Sequence, residues 1–341
     1  MLLKELSELT GVSSGETAVR HYIRDRIQGQ VDRIQTDRLG NLIARRDQGK
    51  KGPLVMLTAH MDEVGLMVVG IDPSGLLKIK TVGGIDERVL ISKRVLVGPQ
   101  RIPGVIGAKP IHLQEKEERK RPVKTTGLFV DIGATDRSDA EKDVKLGDLI
   151  AFDVEAGPFG DGLFKGKALD DRAGCAVLLN LMEKKYNLPL AYVFTVQEEV
   201  GLRGATVAAF GLNPDLALVV EATSAGDVPP LKKHQASTRL GAGPAISFMD
   251  RSVIVNPALI QRLVAVAEEA GIPYQFREST TGGTEAGVIN QTRSGIPVAV
   301  ISVPCRYIHS PVGILNRNDL TQTVKLIDAF LRDIEQRGLP V

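Results

Sequence analysis

Two histidines lie at positions that could contribute to a metal-dependent hydrolytic site. His60 and Asp62 occur in TAHMDEVG, directly after the apolar run LVML, and His309 follows the apolar run IPVAVISVP. A single histidine is more often structural than functional, so only a larger set of residues favours a metal site. Imidazole and carboxylate groups without thiolates suit a catalytic zinc, cobalt or manganese site better than a structural zinc site.

Acidic residues follow other predicted strands or precede a predicted helix. Glu198 and Glu199 follow AYVFTVQ, Glu221 follows LALVV, and Asp170 lies in ALDD before the helix-like segment DRAGCAVLLNLMEKK. In open α/β sheets, ligands bind outside the carboxyl ends of the strands, so we expect these side chains to meet. Clustered carboxylates repel one another unless cations neutralise them. The candidate ligands exceed the three that bind one catalytic zinc, which predicts two divalent ions roughly 3.5–4 Å apart.

The adjacent pair Glu198-Glu199 can divide two tasks. Neighbouring side chains leave a strand in different directions, so both cannot approach one ion equally. One carboxylate can bind an ion, while the other accepts a proton from water whose pKa the ions lower towards neutrality. Asp62 can contact the far imidazole nitrogen of His60 and fix the tautomer of that ring.

Several other residues are better explained without a part in the chemistry. Asp171 is expected to cap the following helix or to support the ligands from outside. His21, His112 and His234 lie outside the strand-end set and are not expected to bind metal. Cys305 is close to the predicted site in sequence but lacks the Gly-x-Ser/Cys-x-Gly turn of a strand-end nucleophile.

The elements that must position these residues alternate between strands and helices, with one long interruption. Such alternation implies a largely parallel sheet covered by helices on both faces. Residues 64–164 instead contain short alternating runs broken by Gly, Pro and Asp, which predict strands. We therefore predict an α/β/α sandwich formed by residues 1–63 and 165–341, with an inserted all-β, barrel-like domain over residues 64–164.

Composition excludes several classes of partner. Hydrophobic residues make up 43% and charged residues 25% of the 341 positions, and the formal net charge is +2, so we expect neither nucleic acid nor a membrane as partner. We find no signal-peptide pattern and no apolar run of the roughly 20 residues that a membrane helix needs. The two cysteines form no Cys-x-x-Cys pair, which favours a cytoplasmic location.

Five motifs occur in the order TAHMDEVG, ALDDRAGC, QEEVGLRGA, VVEAT and RYIHSP, and in this order the chain resembles the TET-type aminopeptidases. This family includes glutamyl and deblocking aminopeptidases, and some members have been labelled endoglucanases. The resemblance covers nearly the whole chain. It implies a zinc-exopeptidase-like fold, a β insertion that mediates dimer contacts, and dimers that commonly build a tetrahedral dodecamer.

Carried over position by position, the resemblance assigns the ligands of both ions. His60, Asp170 and Glu221 would bind one ion. Asp170, Glu199 and His309 would bind the other, so that Asp170 bridges the pair. Glu221 stands where the family often has Asp, which leaves its ligand geometry open.

The resemblance also makes Glu198 the general base and Asp62 the residue that orients His60. The role of Glu285, at another position where Asp is common, stays open. The resulting prediction is a cytoplasmic aminopeptidase that hydrolyses peptides with two divalent ions, zinc or cobalt, with manganese as a further candidate. The preferred N-terminal residue, the metal used in the cell and the detailed oligomeric state are not predicted.

Two other functions compete with this prediction. An endoglucanase-type glycoside hydrolase could also use two carboxylates. The absence of tryptophan and an aromatic content of 4% leave few platforms for sugar rings, which argues against it. A non-catalytic assembly protein that retains the fold is the other alternative, and it would stay inactive after reloading with metal.

Overall fold

The computed structural model describes residues 1–229 and 236–340. The helices in these ranges are α1 (Leu2–Glu8), α2 (Thr17–Ile27), α3 (Arg137–Ala140), α4 (Leu169–Met182), α5 (Arg203–Leu212), α6 (Pro257–Glu269), α7 (Glu285–Asn290) and α8 (Arg317–Arg337). The strands are β1 (Arg33–Thr36), β2 (Leu42–Arg46), β3 (Val55–His60), β4 (Gly65–Ile71), β5 (Leu77–Val82), β6 (Arg94–Val97), β7 (Ile102–Ala108), β8 (Leu128–Asp131), β9 (Leu149–Phe152), β10 (Gly157–Phe159), β11 (Leu163–Gly166), β12 (Leu190–Thr195), β13 (Leu216–Ser224), β14 (Ala245–Ser247), β15 (Gln275–Phe276), β16 (Val298–Arg306) and β17 (Gly313–Asn316).

A large mixed sheet forms the centre of the α/β part of the chain. Its strand order is β1-β2-β12-β3-β13-β16-β17-β11-β10, with β14 beside β16 and β15 beside β14. The four central strands, β12, β3, β13 and β16, are parallel, as the alternation predicts. The outer pairs β1–β2 and β10–β11 are antiparallel. The prediction of a largely parallel sheet thus describes only the centre, because short turns can join antiparallel strands but not parallel ones.

Helices cover both faces of the large sheet. Along β3, Val55 and Leu57 pack in a core with α1, α2, α4, α6 and α8, whereas Met56 packs in a second core with α5 and α7. This division follows from the alternation of side chains along a strand. The predicted α/β/α sandwich is confirmed.

Local signals explain where some helices begin. The Asn256 side chain accepts a hydrogen bond of 2.9 Å from the backbone N–H of Ala258, and Pro257 occupies the first turn of α6. Asn316 caps α8 in the same way through the N–H of Asn318, at 2.7 Å. Asn at the cap and Pro at the first position are the preferred residues for a helix start.

Strands β4 to β9 form a closed barrel in the order β4-β5-β8-β7-β6-β9. Alternate side chains, among them Leu66, Val68 and Ile150, fill its interior. The barrel-like architecture predicted for the β segment is confirmed. Strands β10 and β11 fall within the predicted insertion, yet they pair with the large sheet. The division of the chain into two domains remains a prediction. The barrel strands run from Gly65 to Phe152, inside the predicted insertion of residues 64–164.

In the described parts of the chain, no helix combines the length and apolar character required to cross a bilayer.

Candidate metal centre

The predicted site residues converge at one edge of the central strands. His60 is the last residue of β3, and Glu221 lies within β13. Glu198 follows β12, His309 follows β16, and Asp170 lies at the start of α4. The convergence arises because the carboxyl ends of parallel strands meet at the same edge.

Asp170 lies between the two histidines. Its Oδ1 atom is 3.2 Å from Nε2 of His60, and its Oδ2 atom is 3.4 Å from Nε2 of His309. One carboxylate thus presents a separate oxygen to each imidazole. This is the arrangement that a bridging ligand requires.

Glu199 and Glu221 each extend the set on one side. Oε2 of Glu199 is 3.3 Å from Nε2 of His309, and Oε2 of Glu221 is 3.7 Å from Nε2 of His60. Donors bound at about 2.0–2.2 Å around a tetrahedral ion lie about 3.3–3.6 Å from one another. The donor atoms of Asp170, Glu199 and His309 lie within 4.8 Å of one another, which suits one metal ion. On the other side, the same holds for the donor atoms of His60, Asp171 and Glu221.

Asp62 connects His60 to the two adjacent glutamates. Nδ1 of His60, the nitrogen that faces away from Asp170, lies 3.2 Å from the backbone carbonyl oxygen of Asp62 and 3.4 Å from its Oδ1 atom. The Asp62 carboxylate also accepts the backbone N–H groups of Glu198 and Glu199, at 2.9 and 3.2 Å, and the Ser13 hydroxyl at 2.6 Å. Asp62 thus contacts both the imidazole and the segment that carries the glutamates.

The electrostatics of the cluster show an excess of acid. Burial raises the pKa of Glu198 to about 8, with the charge of His60 opposing this shift and that of Glu199 adding to it. Burial and the charge of Asp170 raise the pKa of Glu199 to about 7. Burial also opposes ionisation of Asp170, but hydrogen bonds from His309 and His60 outweigh it and lower the pKa. The two imidazoles do not balance the surrounding carboxyl groups.

The surroundings of the Glu221 carboxyl group indicate whether the site fits a divalent cation. Its Oε1 atom is buried and has no hydrogen-bond partner within residues 1–229 and 236–340. Burial raises the pKa of Glu221 well above its ordinary range, although the charge of His60 opposes the shift. An unpartnered buried carboxylate oxygen is costly, and a cation removes that cost. The imidazole and carboxylate donors therefore fit zinc, cobalt or manganese.

Two further carboxyl groups lie close to this set. Asp171 accepts the backbone N–H groups of Gly174, at 2.9 Å, and of His60, at 3.3 Å. The first contact is the predicted helix-capping bond, and the second connects α4 to β3. Glu285, whose role was open, is buried and accepts the Thr58 hydroxyl at 2.8 Å. Asp171 and Glu285 therefore both contact β3, the strand that ends in His60.

A buried ionic network beside the site was not predicted from the sequence. Lys167 donates to both carboxylate oxygens of Glu63, at 2.6 and 2.8 Å, and Arg172 lies 3.6 Å from the same carboxylate. We call these three residues the Glu63 network. Glu63 follows Asp62, whereas Lys167 and Arg172 flank Asp170 in the sequence. Opposite charges that flank the predicted ligands were the signal that could have revealed the network.

Glu16 fixes the turn before the two glutamates. Gln197 has φ 56°, a left-handed conformation that is uncommon outside glycine. Its N–H donates to Oε1 of Glu16 at 3.1 Å, and the N–H of Ser14 donates to the same oxygen at 2.8 Å. These contacts give a structural role to the SSGE motif. The sequence did not predict this role, because Glu16 and Gln197 are far apart along the chain.

Two of the histidines that were not expected to bind metal lie on the surface, away from the candidate ligands. His21 and His112 are exposed, and His234 lies outside the described residues. Cys305 is fully buried and lines a small space together with Asp170 and His309. Burial raises the pKa of its thiol, which disfavours a thiolate nucleophile.

A cavity of about 530 Å³ opens over the candidate ligands. His60, Asp170 and His309 line one part of it, and the segment of residues 277–284 lines another. The volume falls within the range that small-molecule and peptide-end sites occupy. Substrate can therefore reach the donor atoms from this side.

A family model for the M42 glutamyl aminopeptidases matches residues 40–326. The chain belongs to this family. A protein of Acetivibrio thermocellus is 42% identical to it over 96% of both chains. The lysyl aminopeptidase of Pyrococcus furiosus is 32% identical, over 98% of this chain and 97% of its own. Membership in the family makes the chain a peptide hydrolase of the aminopeptidase type.

Solved structures share the fold of this M42 family chain. A TET aminopeptidase from a marine sediment archaeon of the Thaumarchaeota is 36% identical, with 99% and 96% coverage and a TM-score of 0.95. The TET1 peptidase of Pyrococcus horikoshii, which can assemble into a tetrahedron or a large octahedral shell, is 33% identical, with 96% and 98% coverage and a TM-score of 0.85. A Thermotoga maritima structure titled endoglucanase is 37% identical, with 98% and 99% coverage and a TM-score of 0.81. The predicted resemblance to the TET-type family is confirmed.

Proposed function

We propose that this M42 family member is a dinuclear metallo-aminopeptidase. The observation that carries the proposal is the position of Asp170, which offers one oxygen towards His60 and the other towards His309. His60 and Glu221 would complete one ligand set, and Glu199 and His309 the other. Divalent ions bound there would polarise the scissile carbonyl and lower the pKa of water.

The chain itself supplies the proton transfers and the orientation of the reacting groups. Glu198 is the general base, because its carboxylate lines the same cavity as the candidate ligands and has no place in either proposed set. It takes a proton from water as the water oxygen forms a bond to the peptide carbonyl carbon. It then gives that proton to the leaving amine as the C–N bond breaks. Asp62 keeps His60 and the Glu198 backbone in fixed positions during both transfers.

Replacing Glu198 by Gln tests the assignment of the general base. Glu198→Gln preserves the size and hydrogen-bonding capacity of the side chain but removes its ability to accept a proton. We expect hydrolysis of aminoacyl-anilides to fall by about 10²–10⁴-fold, the usual contribution of general-base catalysis. Metal content, measured by elemental analysis, should stay close to that of the wild type.

Glu141→Gln, an exposed substitution on the barrel side, is the matched control and should leave both measurements unchanged. Wild-type activity in Glu198→Gln would contradict the assignment. Activity that survives complete removal of metal by a chelator would contradict the metal-dependent mechanism as a whole.

The cavity gives no support to the endoglucanase alternative. Among the described residues that line it there is no aromatic side chain on which a sugar ring could stack. Hydrolysis of an aminoacyl-anilide that stops on chelation is the expected result. Release of sugar from cellulose in the presence of chelator would favour a glycosidase instead.

We also propose a homo-oligomer with contacts through the barrel, of the tetrahedral dodecamer type. Assembly of the TET1 relative supports it. The barrel side exposes Ile111 and Leu113, at 69% and 59% of their surface, which suits a covered interface. Light scattering after size exclusion should give a mass far above the 36.7 kDa of one chain, and a monomer would contradict the proposal. The cytoplasmic location remains a prediction.

A further inference from the structure

The two histidines of the candidate metal centre are held in different ways. His60 is buried, and Asp62 contacts its Nδ1 atom. His309 is 42% exposed, and its contacts with Asp170 and Glu199 are made by Nε2. In the described part of the chain, no hydrogen bond joins its Nδ1 atom to another residue. Because such a bond to the second ring nitrogen usually orients a metal-binding histidine, the orientation of His309 depends on its main chain.

That main chain forms a tight turn between β16 and β17. Tyr307 and His309 have φ 61° and 55°, in the left-handed region that residues other than glycine seldom adopt. Within the turn, the Ser310 hydroxyl donates to the carbonyl of Tyr307 at 2.6 Å, and Ile308 packs against the main core. Such a conformation persists only where the surrounding structure fixes it. The anchors of the turn therefore decide where the His309 imidazole lies.

Arg306, the last residue of β16, anchors the start of this turn. Its Nε and Nη2 atoms donate to Oδ1 and Oδ2 of Asp227, at 2.6 and 2.9 Å. Two parallel hydrogen bonds between a guanidinium and a carboxylate fix the orientation of both groups. The side chains are 26% and 13% exposed, so solvent ions screen this pair less than a pair on the open surface.

Asp227 belongs to the segment that follows β13, the strand that carries Glu221. Strands β13 and β16 are parallel neighbours, and the pair of Asp227 with Arg306 joins the segments at their carboxyl ends. Oδ2 of Asp227 also accepts the backbone N–H of Leu240 at 3.0 Å, which holds the carboxylate in place. The turn of His309 is thereby fastened to the neighbouring part of the sheet just before the histidine.

We propose that Arg306 and Asp227 are positioning residues for His309. The inference rests on the proposed dinuclear function, because His309 is assigned to one of its two ligand sets. Neither Arg306 nor Asp227 lines the cavity over the ligands, so the pair acts through the backbone of the turn. Its loss weakens binding of the ion in the His309 set and leaves the ion of the His60 set unaffected.

Calorimetric titration of the metal-free protein with zinc tests this division. Arg306→Met keeps much of the apolar stem but removes both hydrogen bonds to Asp227. We expect the affinity for one of the two ions to fall by about 10- to 100-fold, the usual effect of losing a group that supports ligands from outside. Arg306→Lys keeps the charge without the fork of donors and should lose less. Asp227→Asn is an independent variant whose effect should have the same direction.

Arg262→Met is the matched control. Arg262 is 23% exposed and donates from Nε to Asp333 at 2.6 Å, between α6 and α8, so its ion pair has a similar burial. Its loss should lower the thermal midpoint of the metal-free protein about as much as Arg306→Met does, with both zinc affinities unchanged. An equal loss of zinc affinity in Arg262→Met would show general destabilisation and contradict a positioning role for Arg306.

The double variant Arg306→Met/His309→Ala identifies the ion that is affected. Without the His309 imidazole the ion pair has no ligand to position, so the remaining zinc should bind as it does in His309→Ala alone. A further loss of affinity in the double variant would show that Arg306 acts on the other ion, against the proposal. Unchanged zinc binding in Arg306→Met would refute it directly.

Failure of the proposed function gives a different pattern, since the wild-type protein would then bind fewer than two zinc ions. Crystals of metal-free Arg306→Met still decide the positioning role. We expect Nε2 of His309 to move beyond the 3.4 and 3.3 Å at which it contacts Asp170 and Glu199 in the wild type. A His309 turn that keeps its wild-type position in this variant would overturn the proposal.

Discussion

Two buried clusters of charge lie side by side in this chain, and they are balanced in different ways. In the Glu63 network, Lys167 contacts both carboxylate oxygens, and the backbone N–H of Gly11 donates to one of them at 2.9 Å. Burial lowers the pKa of Lys167 to about 8, while the charge of Glu63 opposes the shift, so that the ammonium stays mostly protonated at neutral pH. In the candidate metal centre, carboxyl groups outnumber imidazoles.

The difference shows which cluster the chain completes by itself. The Glu63 network has its cations in the sequence, and the unpartnered atom that it contains is a donor, Nη2 of Arg172. The metal centre instead leaves an acceptor, Oε1 of Glu221, without a partner in the described residues. Buried charges without partners are unfavourable, so we propose that cations from solution complete the second cluster. The two clusters are also connected along the chain, because Glu63 adjoins Asp62 and Lys167 and Arg172 flank Asp170. We infer that the first cluster holds the ligands of the second in place.

The largest effect is expected from removing the charge of Asp170, which both ligand sets share. Asp170→Asn keeps the shape of the side chain but should lower binding of both ions and reduce kcat by about 10³-fold or more, since the metal ions contribute several kcal/mol to catalysis. Elemental analysis after dialysis against zinc measures the first effect. Asp25→Asn, an exposed change in α2, is the control. Two tightly bound ions in Asp170→Asn would contradict its bridging position.

His309→Ala tests whether the two proposed ligand sets bind their ions separately, because His309 belongs to only one of them. We expect one ion per chain to remain and activity to be lost. His309 is 42% exposed, so removing its side chain should hardly change the free energy of unfolding. Retention of both ions, or loss of both, would contradict the division into two sets.

Breaking the self-balanced cluster should act mainly on stability. Lys167→Met leaves Glu63 buried without its closest cation, and we expect the free energy of unfolding to fall by roughly 3–5 kcal/mol. Chemical denaturation of the metal-free protein measures this change. Lys142→Met, which removes an exposed ion pair with Asp139, is the control and should have no measurable effect. The double variant Glu63→Leu/Lys167→Met should recover part of the loss, and no recovery would contradict the pairing.

The smallest effect is expected for Ser13, whose hydroxyl donates to Asp62 at 2.6 Å. Ser13→Ala should lower kcat by about ten-fold and weaken metal binding by a similar factor, as usual for residues that support ligands from outside. KM for an aminoacyl-anilide should change little, because Ser13 does not line the cavity. Ser74→Ala, in an exposed turn of the barrel, is the control. Unchanged kcat and metal affinity would show that Ser13 does not position Asp62.

Much of the fold followed from local patterns in the sequence. Short runs of alternating apolar and polar residues predicted the strands of the barrel, and the succession of strands and helices predicted the parallel centre of the large sheet. The rule that strand ends meet at one edge predicted from the sequence that His60, Glu221 and His309 lie together. The antiparallel pairing of β10, β11 and β17 at the edge of the large sheet was missed, because the choice of partner depends on the path of the connecting turns.

The supporting residues were harder to predict than the proposed ligands. Glu16 acts through Gln197, which is distant along the chain, and only the folded structure brings the two together. The contact of Asp62 with the N–H groups of Glu198 and Glu199 is likewise a tertiary feature.

Anomalous diffraction at the zinc edge, from crystals of the wild-type protein equilibrated with zinc, tests the central claim most directly. We expect two peaks per chain, about 3.5–4 Å apart. Asp170 should contact both, with His60 beside one peak and His309 beside the other. Two peaks on either side of the Asp170 carboxylate would show that cations from solution complete the acidic cluster. No peak between His60 and His309, in protein that is fully folded and active, would contradict the account.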